Sequence, residues 1–350
     1  MISNAVAELQ ESHAFDPAPR RFDLGVYHVP FDSITKSEQT EAVLARSVRV
    51  PERVGLVGAS GSGKSSVIAH VLGPMEEDIA PIRIPVAAEN PETIVSPEAF
   101  ARHVVRTVSN YARDAALMTE DDRRRILEKA NESELFGGDA RKGRVALTPG
   151  WMAGKAELSA ELSSASAAIT APRSGSEIIE QAGRVIDVVS SAHLIPIIVI
   201  DDSDSWLNVV GLEDRTHLVN GFFGPVTRML AEELNAAVVL AVHETYLSLD
   251  GFRQAEGFIE TTVHIPAVPN EAALRAIVGK RVTVHIDSSV EDVISDDAMR
   301  KVFKHYTGTA SGNLRKTLLV CHTALQAAYG DGADIISSGH VDTALAELSP

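Results

Sequence analysis

The chain has 350 residues, 45% of them hydrophobic and 23% charged, a globular balance with length for one large or two modest domains around a real core. Its formal net charge of −16 argues against broad, sequence-independent binding to nucleic acid, which needs clustered Lys and Arg, and leaves room only for a small basic patch presented by an oligomer. No apolar run approaches the roughly 18–20 residues that span a bilayer, no secretion signal is evident, and a lone cysteine, Cys321, excludes an internal disulfide and suits a reducing cytoplasm.

Residues 1 to about 35 mix Pro, Asp and Arg without a period and read as an arm, and Thr35 to Val48 reads as a helix. Val54, Leu56 and Val57 then form a short strand that enters Gly58-Ala59-Ser60-Gly61-Ser62-Gly63-Lys64-Ser65-Ser66, and Ser65 to Leu72 reads as a helix stopped by Gly73-Pro74. Strand, Gly-x-x-x-x-Gly-Lys-Ser and helix in that order make a phosphate loop, which predicts a nucleoside triphosphate with Mg²⁺ as ligand. The glycines let the backbone turn its N–H groups inward around phosphate oxygens. Lys64 reaches the β- and γ-phosphates, the Ser65 hydroxyl ligates Mg²⁺, and the helix points its positive end at the phosphates.

Ile82, Ile84 and Val86 alternate as a second strand, and Ser96-Pro97-Glu98 opens a helix with apolar positions at Phe100, Val104, Val108 and Tyr111. The segment from about 115 to 175 departs from this regularity. Around Leu158, Ala160 and Leu162 it reads as an inserted β-hairpin, either a surface elaboration or a contact element for a partner. Its basic clusters are Arg123 to Arg125 and Arg141, Lys142 and Arg144; acids surround the first, so it reads as a solvated helix face. Ser174 with Glu177 makes a capping box before a helix.

Ile197 to Ile200 is an apolar run ending in Asp201 and Asp202, as expected for a parallel strand buried on both faces with carboxylates at its ligand-binding edge. This is a Walker B partner for the phosphate loop: Asp201 for Mg²⁺ and Asp202 to orient or deprotonate the attacking water. Asp202 is one methylene shorter than the more usual Glu, which predicts slow hydrolysis. Ala236 to Val242 forms another strand ending at His243, with Glu244 and Thr245 next to it; a polar residue there lies beside the γ-phosphate. An extended segment follows at Ile259 to Pro266, then helices opened by Asn270, by Ser295-Asp296-Asp297 and by Ser311-Gly312-Asn313-Leu314-Arg315-Lys316, and a last one near Gly339 to Leu348.

Phosphate loop, Walker B, a polar strand end and a helical tail bearing Gly-Asn-Leu-Arg resemble an AAA+ ATPase, most of all the origin-recognition-complex-like replication-initiator clade with its transposition and signalling relatives. The resemblance implies a three-layer α/β P-loop NTPase domain with a mostly parallel central sheet and a C-terminal helical lid. The expected organisation is an arm and lead-in helix over 1–50, the ATPase domain over 51–268 with its insertion, and the lid over 269–350. The resemblance also implies ATP, His243 as sensor 1, Arg315 as sensor 2, and Arg253 as an arginine that reaches a neighbouring subunit's nucleotide. No winged-helix DNA reader follows the lid in this sequence, and with the acidic charge and Asp202 this favours a nucleotide switch of self-assembly or partner binding over replication initiation. Two alternatives stand beside it: an adaptor that holds ATP without hydrolysing it, and a small-molecule kinase, against which the lid argues. A transporter-type ATPase would need a Leu-Ser-Gly-Gly-Gln-like signature before Walker B, and none is present.

Overall fold

The computed structural model describes residues 5–17, 24–35, 39–86, 95–131, 175–201 and 212–349. The hairpin expected near residue 160, Ser174 of the capping box and Asp202 all lie outside the described residues.

Where the sequence reads as an arm, the chain forms α1 (Ala5–Ser12) and α2 (Phe31–Thr35), followed by α3 (Thr40–Arg49). β1 (Arg53–Val57) runs through the glycine-rich loop into α4 (Lys64–Leu72), and β2 (Ile79–Ile84) follows. Ser96 accepts from Ala99 N and Pro97 fills the first turn of α5 (Pro97–Asp114), as its residue types demand. Beyond α6 (Glu120–Asn131) and α7 (Gly175–Ser191) comes β3 (Ile195–Ile200). On α6, Arg123 pairs with Glu120 and Arg125 with Asp122, so two of the three arginines of this cluster are paired along their own helix.

α8 (Leu212–Gly221) passes through a π-helical turn at Phe222–Val226 into α9 (Thr227–Glu232). Pro225 causes the turn, because it has no N–H for the helical ladder; the Thr227 hydroxyl donates instead to the Phe222 carbonyl at 3.0 Å. β4 (Ala237–Val242), α10 (Asp250–Glu256) and β5 (Thr261–His264) complete this part. Five helices then follow: α11 (Glu271–His285), α12 (Val290–Val293), α13 (Asp296–Thr307), α14 (Leu314–Gly330) and α15 (Ser338–Glu347).

The five strands are all parallel, in the order β2-β3-β4-β1-β5. β3 and β4 are apolar throughout because both faces are covered. Side chains alternate between two cores: Ile198 and Ile200 pack toward α5 and α7, whereas Ile197 and Val199 pack toward α3 and α4. That alternation puts Asp201 on the α4 face. β2 alternates likewise, with Ile82 and Ile84 in the first core and Ile79 in the second, so Arg83 shares the α4 face with Asp201.

A third core joins the C-terminal helices to the start of the chain, with Val6, Leu9 and Phe15 fully buried among Leu274, Val282 and Leu325. The lone Cys321 lies in this core, and burial pushes its thiol pKa up to about 12. Among the described residues no helix is long and apolar enough to cross a membrane.

Candidate functional site

The glycine-rich loop leaves β1 at the C-terminal edge of the sheet, where Gly58 N donates to Val242 O of β4 at 3.1 Å. Gly61 (φ +70°) and Gly63 (φ +107°) adopt left-handed backbone that L side chains rarely take. Gly63 is the N-cap of α4 and supplies no side-chain bond to its first turn. Several helices are capped by side chains instead: Ser96, Asn270, Ser295 and Asn313 each accept a first-turn N–H, whereas Gln39 and Leu249, like Gly63, give no such bond to α3 and α10. The positive end of α4 is thus left open behind a residue with no side chain, and it faces the loop. Lys64 is buried, and its Nζ donates to Gly58 O (2.7 Å) and Ala59 O (2.9 Å) inside the loop's curl. A buried ammonium held by carbonyl dipoles, beside open backbone N–H groups, is an arrangement suited to a phosphate anion.

α14 starts against this loop. Its N-cap Asn313 accepts from Lys316 N at 3.0 Å, and Leu314 N donates to Gly61 O at 3.0 Å. The approach is so close that a Cβ on Gly61 would lie 2.2 Å from Asn313 Oδ1. Arg315, one residue further on, is exposed. Arg315 and Lys316 in a first helical turn oppose the helix dipole unless an anion is placed near them.

Asp201 follows β3 and its side chain is 3% exposed; Arg83 Nη1 of the neighbouring strand lies 3.8 Å from its Oδ2. His243 follows β4, one residue beyond the Val242 carbonyl that holds Gly58. Its Nδ1 accepts from Thr245 N at 3.2 Å, with Thr245 Oγ1 at 2.8 Å. A backbone N–H can only donate, so the neutral ring carries its proton on Nε2.

Arg253 is 65% exposed on α10, with its guanidinium 3.5 Å from Asp250. Gly61 of the loop meets Asn313 and Leu314, the two residues before Arg315, while Asp201 and His243 follow strands that end at the same sheet edge.

Sequence reading missed the groups behind α4. The Ser66 hydroxyl donates to Leu24 O (3.1 Å), and His28 bridges Ser66 (3.2 Å) and Glu41 (2.7 Å). Burial pushes the Glu41 pKa up, but hydrogen bonds from His28 and Phe31 N outweigh it and hold the carboxylate below its ordinary value. Tyr27 beside them stacks on His285 of α11, with Arg281 at 4.7 Å from its ring centroid. No spacing in the sequence announces these contacts. Arg83 did carry a signal, a charge between Ile82 and Ile84 on a face otherwise apolar.

The five-stranded parallel sheet in this order, with the glycine-rich loop after β1, an acid after β3, a polar residue after β4 and helices at the C-terminal side, is a fold the chain shares with solved structures. Orc1 of Aeropyrum pernix, solved in complex with DNA, shares it at 17% identity and a TM-score of 0.52, over 94% of this chain and 69% of that one. Cdc6p of Pyrobaculum aerophilum matches at 13% identity and a TM-score of 0.50, over 92% and 68%. No family model and no curated protein sequence matches the chain. At these identities the likeness is one of fold.

Proposed function

We propose that the chain binds ATP and hydrolyses it slowly with Mg²⁺, using the nucleotide state to switch its assembly with itself or with a partner. The observation that carries this reading is the open N-terminus of α4, behind the left-handed Gly63 and beside the buried Lys64 ammonium.

The backbone of Gly58, Ala59, Ser60, Gly61, Ser62 and Gly63 would wrap the phosphates, with Lys64 turning its ammonium from loop carbonyls to phosphate oxygens. Ser65 and Asp201 are the oxygen donors for Mg²⁺, which when bound neutralises charge on the β- and γ-phosphates. Asp202 takes the proton of a water that attacks the γ-phosphorus in line, as the bond to the ADP oxygen breaks. The Nε2–H of His243 donates to the water or the γ-phosphate, and Arg315 adds positive charge from the lid. Arg253, being exposed, would reach a neighbouring copy's site. The lid rests on Gly61 itself, so phosphate in the loop alters the surface on which α14 starts.

ATP turnover and mass in solution, measured with and without ATP for wild type and Asp202→Asn, test the proposal. Turnover that disappears in the variant, with assembly that follows ATP, is expected. Tight ATP binding without phosphate release or assembly would replace the switch by a nucleotide-stabilised adaptor, and phosphate passing to an organic acceptor would make the chain a kinase. DNA binding forms no part of the proposal, given the net charge of −16.

A further inference from the structure

β2 is one of the two edge strands of the sheet, and Arg83 is the charged residue among its apolar neighbours. Register decides where it points. Arg83 pairs with Val199 across the parallel ladder, and paired residues project to the same face. Asp201 lies two residues beyond Val199, on that face again. The guanidinium thus reaches along the sheet toward the C-terminal edge and comes to 3.8 Å from Asp201 Oδ2. The two ends differ in environment: the Asp201 side chain is 3% exposed, the Arg83 side chain 30%. A carboxylate that deeply buried requires a positive partner, and its strand neighbour supplies one. The separation exceeds the roughly 2.7–2.9 Å of a direct charge-assisted hydrogen bond. The arginine therefore faces the acid across a gap wider than a direct hydrogen bond, with 30% of its side chain open to solvent.

We propose that Arg83 is a built-in counter-ion for Asp201, which holds the buried carboxylate in place in the metal-free protein and yields when a divalent cation binds. The inference rests on the reading of Asp201 as the Mg²⁺ carboxylate. Arg83 is then a positioning residue with two opposed effects. It stabilises the metal-free fold, and it weakens the first binding of the cation because it competes for the same oxygens.

The test uses the full chain as wild type, Arg83→Met, Arg83→Lys, Asp201→Asn and the Arg83→Met/Asp201→Asn pair. Thermal unfolding in EDTA reads the ion pair, and Mn²⁺ affinity with saturating ATP, by electron paramagnetic resonance, reads the exchange. An opposite charge at about 4–6 Å changes a carboxylate's affinity for a proton by about ten- to a thousandfold; for a partly exposed arginine and a divalent cation the low end applies. Arg83→Met should therefore lower Tm in EDTA and bind Mn²⁺ about tenfold more tightly, with Arg83→Lys returning both values toward wild type. Asp201→Asn should lose most of the Mn²⁺ affinity and cancel most of the Tm cost of Arg83→Met. Unchanged or weaker Mn²⁺ binding by Arg83→Met overturns the competition. Additive Tm changes in the double variant overturn the counter-ion role, whatever nucleotide does. Failure of the wild type to bind ATP with Mn²⁺ would remove the functional reading and the exchange with it, while the metal-free cycle would still decide the pair.

Discussion

Two helix N-termini meet at Gly61, and the chain treats them in opposite ways. α14 is closed: Asn313 takes the N–H of Lys316, and the Gly61 carbonyl takes that of Leu314. α4 is left open behind a glycine. Every helix begins with four N–H groups that lack an internal partner, and a side-chain cap is worth about 1 kcal/mol. On the proposed reading, the open end is the one that takes the phosphates. The closed end serves the open one, since the carbonyl that finishes α14 belongs to the loop before α4.

The largest expected effect breaks the open end. Lys64→Ala removes the buried cation at its mouth and should cost ATP affinity about 2–5 kcal/mol, or about 30-fold and more, by isothermal titration calorimetry. Unaltered affinity would mean that the open end is not where phosphate sits.

A middle-sized effect sharpens the closed end. Gly61→Ala forces a left-handed alanine whose Cβ lies 2.2 Å from Asn313 Oδ1, and should destabilise the protein by about 1–3 kcal/mol in urea unfolding. Asn313→Ala alone loses its cap, about 1 kcal/mol, yet in the double variant it should recover part of the Gly61→Ala loss. Strict additivity would show that the two ends do not touch in solution.

The smallest effect concerns what holds α4 from behind, through Ser66, His28 and Glu41. The Glu41 carboxylate has a lowered pKa in the fold, so its contribution is complete above the unfolded value of about 4.3 and fades as pH falls through the lower folded value. Below about pH 4 the wild type should therefore lose its Tm advantage over Glu41→Gln. A constant difference between the two down the acid range would dismiss the carboxylate's role.

The open end was legible from sequence because every part of it lies between Val54 and Leu72: an apolar strand, glycines for left-handed turns, a lysine and a helix. β3 and β4 were legible for a similar reason, since burial on both faces leaves unbroken apolar runs. What escaped were pairings between residues far apart in the chain. Asn313 reads as a cap, but nothing in its neighbours says that the cap rests on Gly61. Val6, Leu9 and Phe15 have no local period because their partners are helices more than 250 residues later. Phe252 and Arg253, seen only as residues between two strands, belong to a short helix whose Phe252 packs into an aromatic cluster with Phe223. Asp202 and the hairpin near residue 160 lie outside the described residues.

The place of α1 has a bearing on biosynthesis. Its apolar face is buried by α14, whose residues are translated about 300 positions later; at about 5–20 residues per second that is a wait of roughly 15–60 s. Through that interval the emerging polypeptide carries Val6, Leu9 and Phe15 without their shelter. The sheet can assemble meanwhile, but the helical unit can be completed only when its earliest and latest segments find each other. Chaperone demand during translation is therefore expected to centre on this first helix, and a bulky fusion placed next to it would burden the lid more than the sheet.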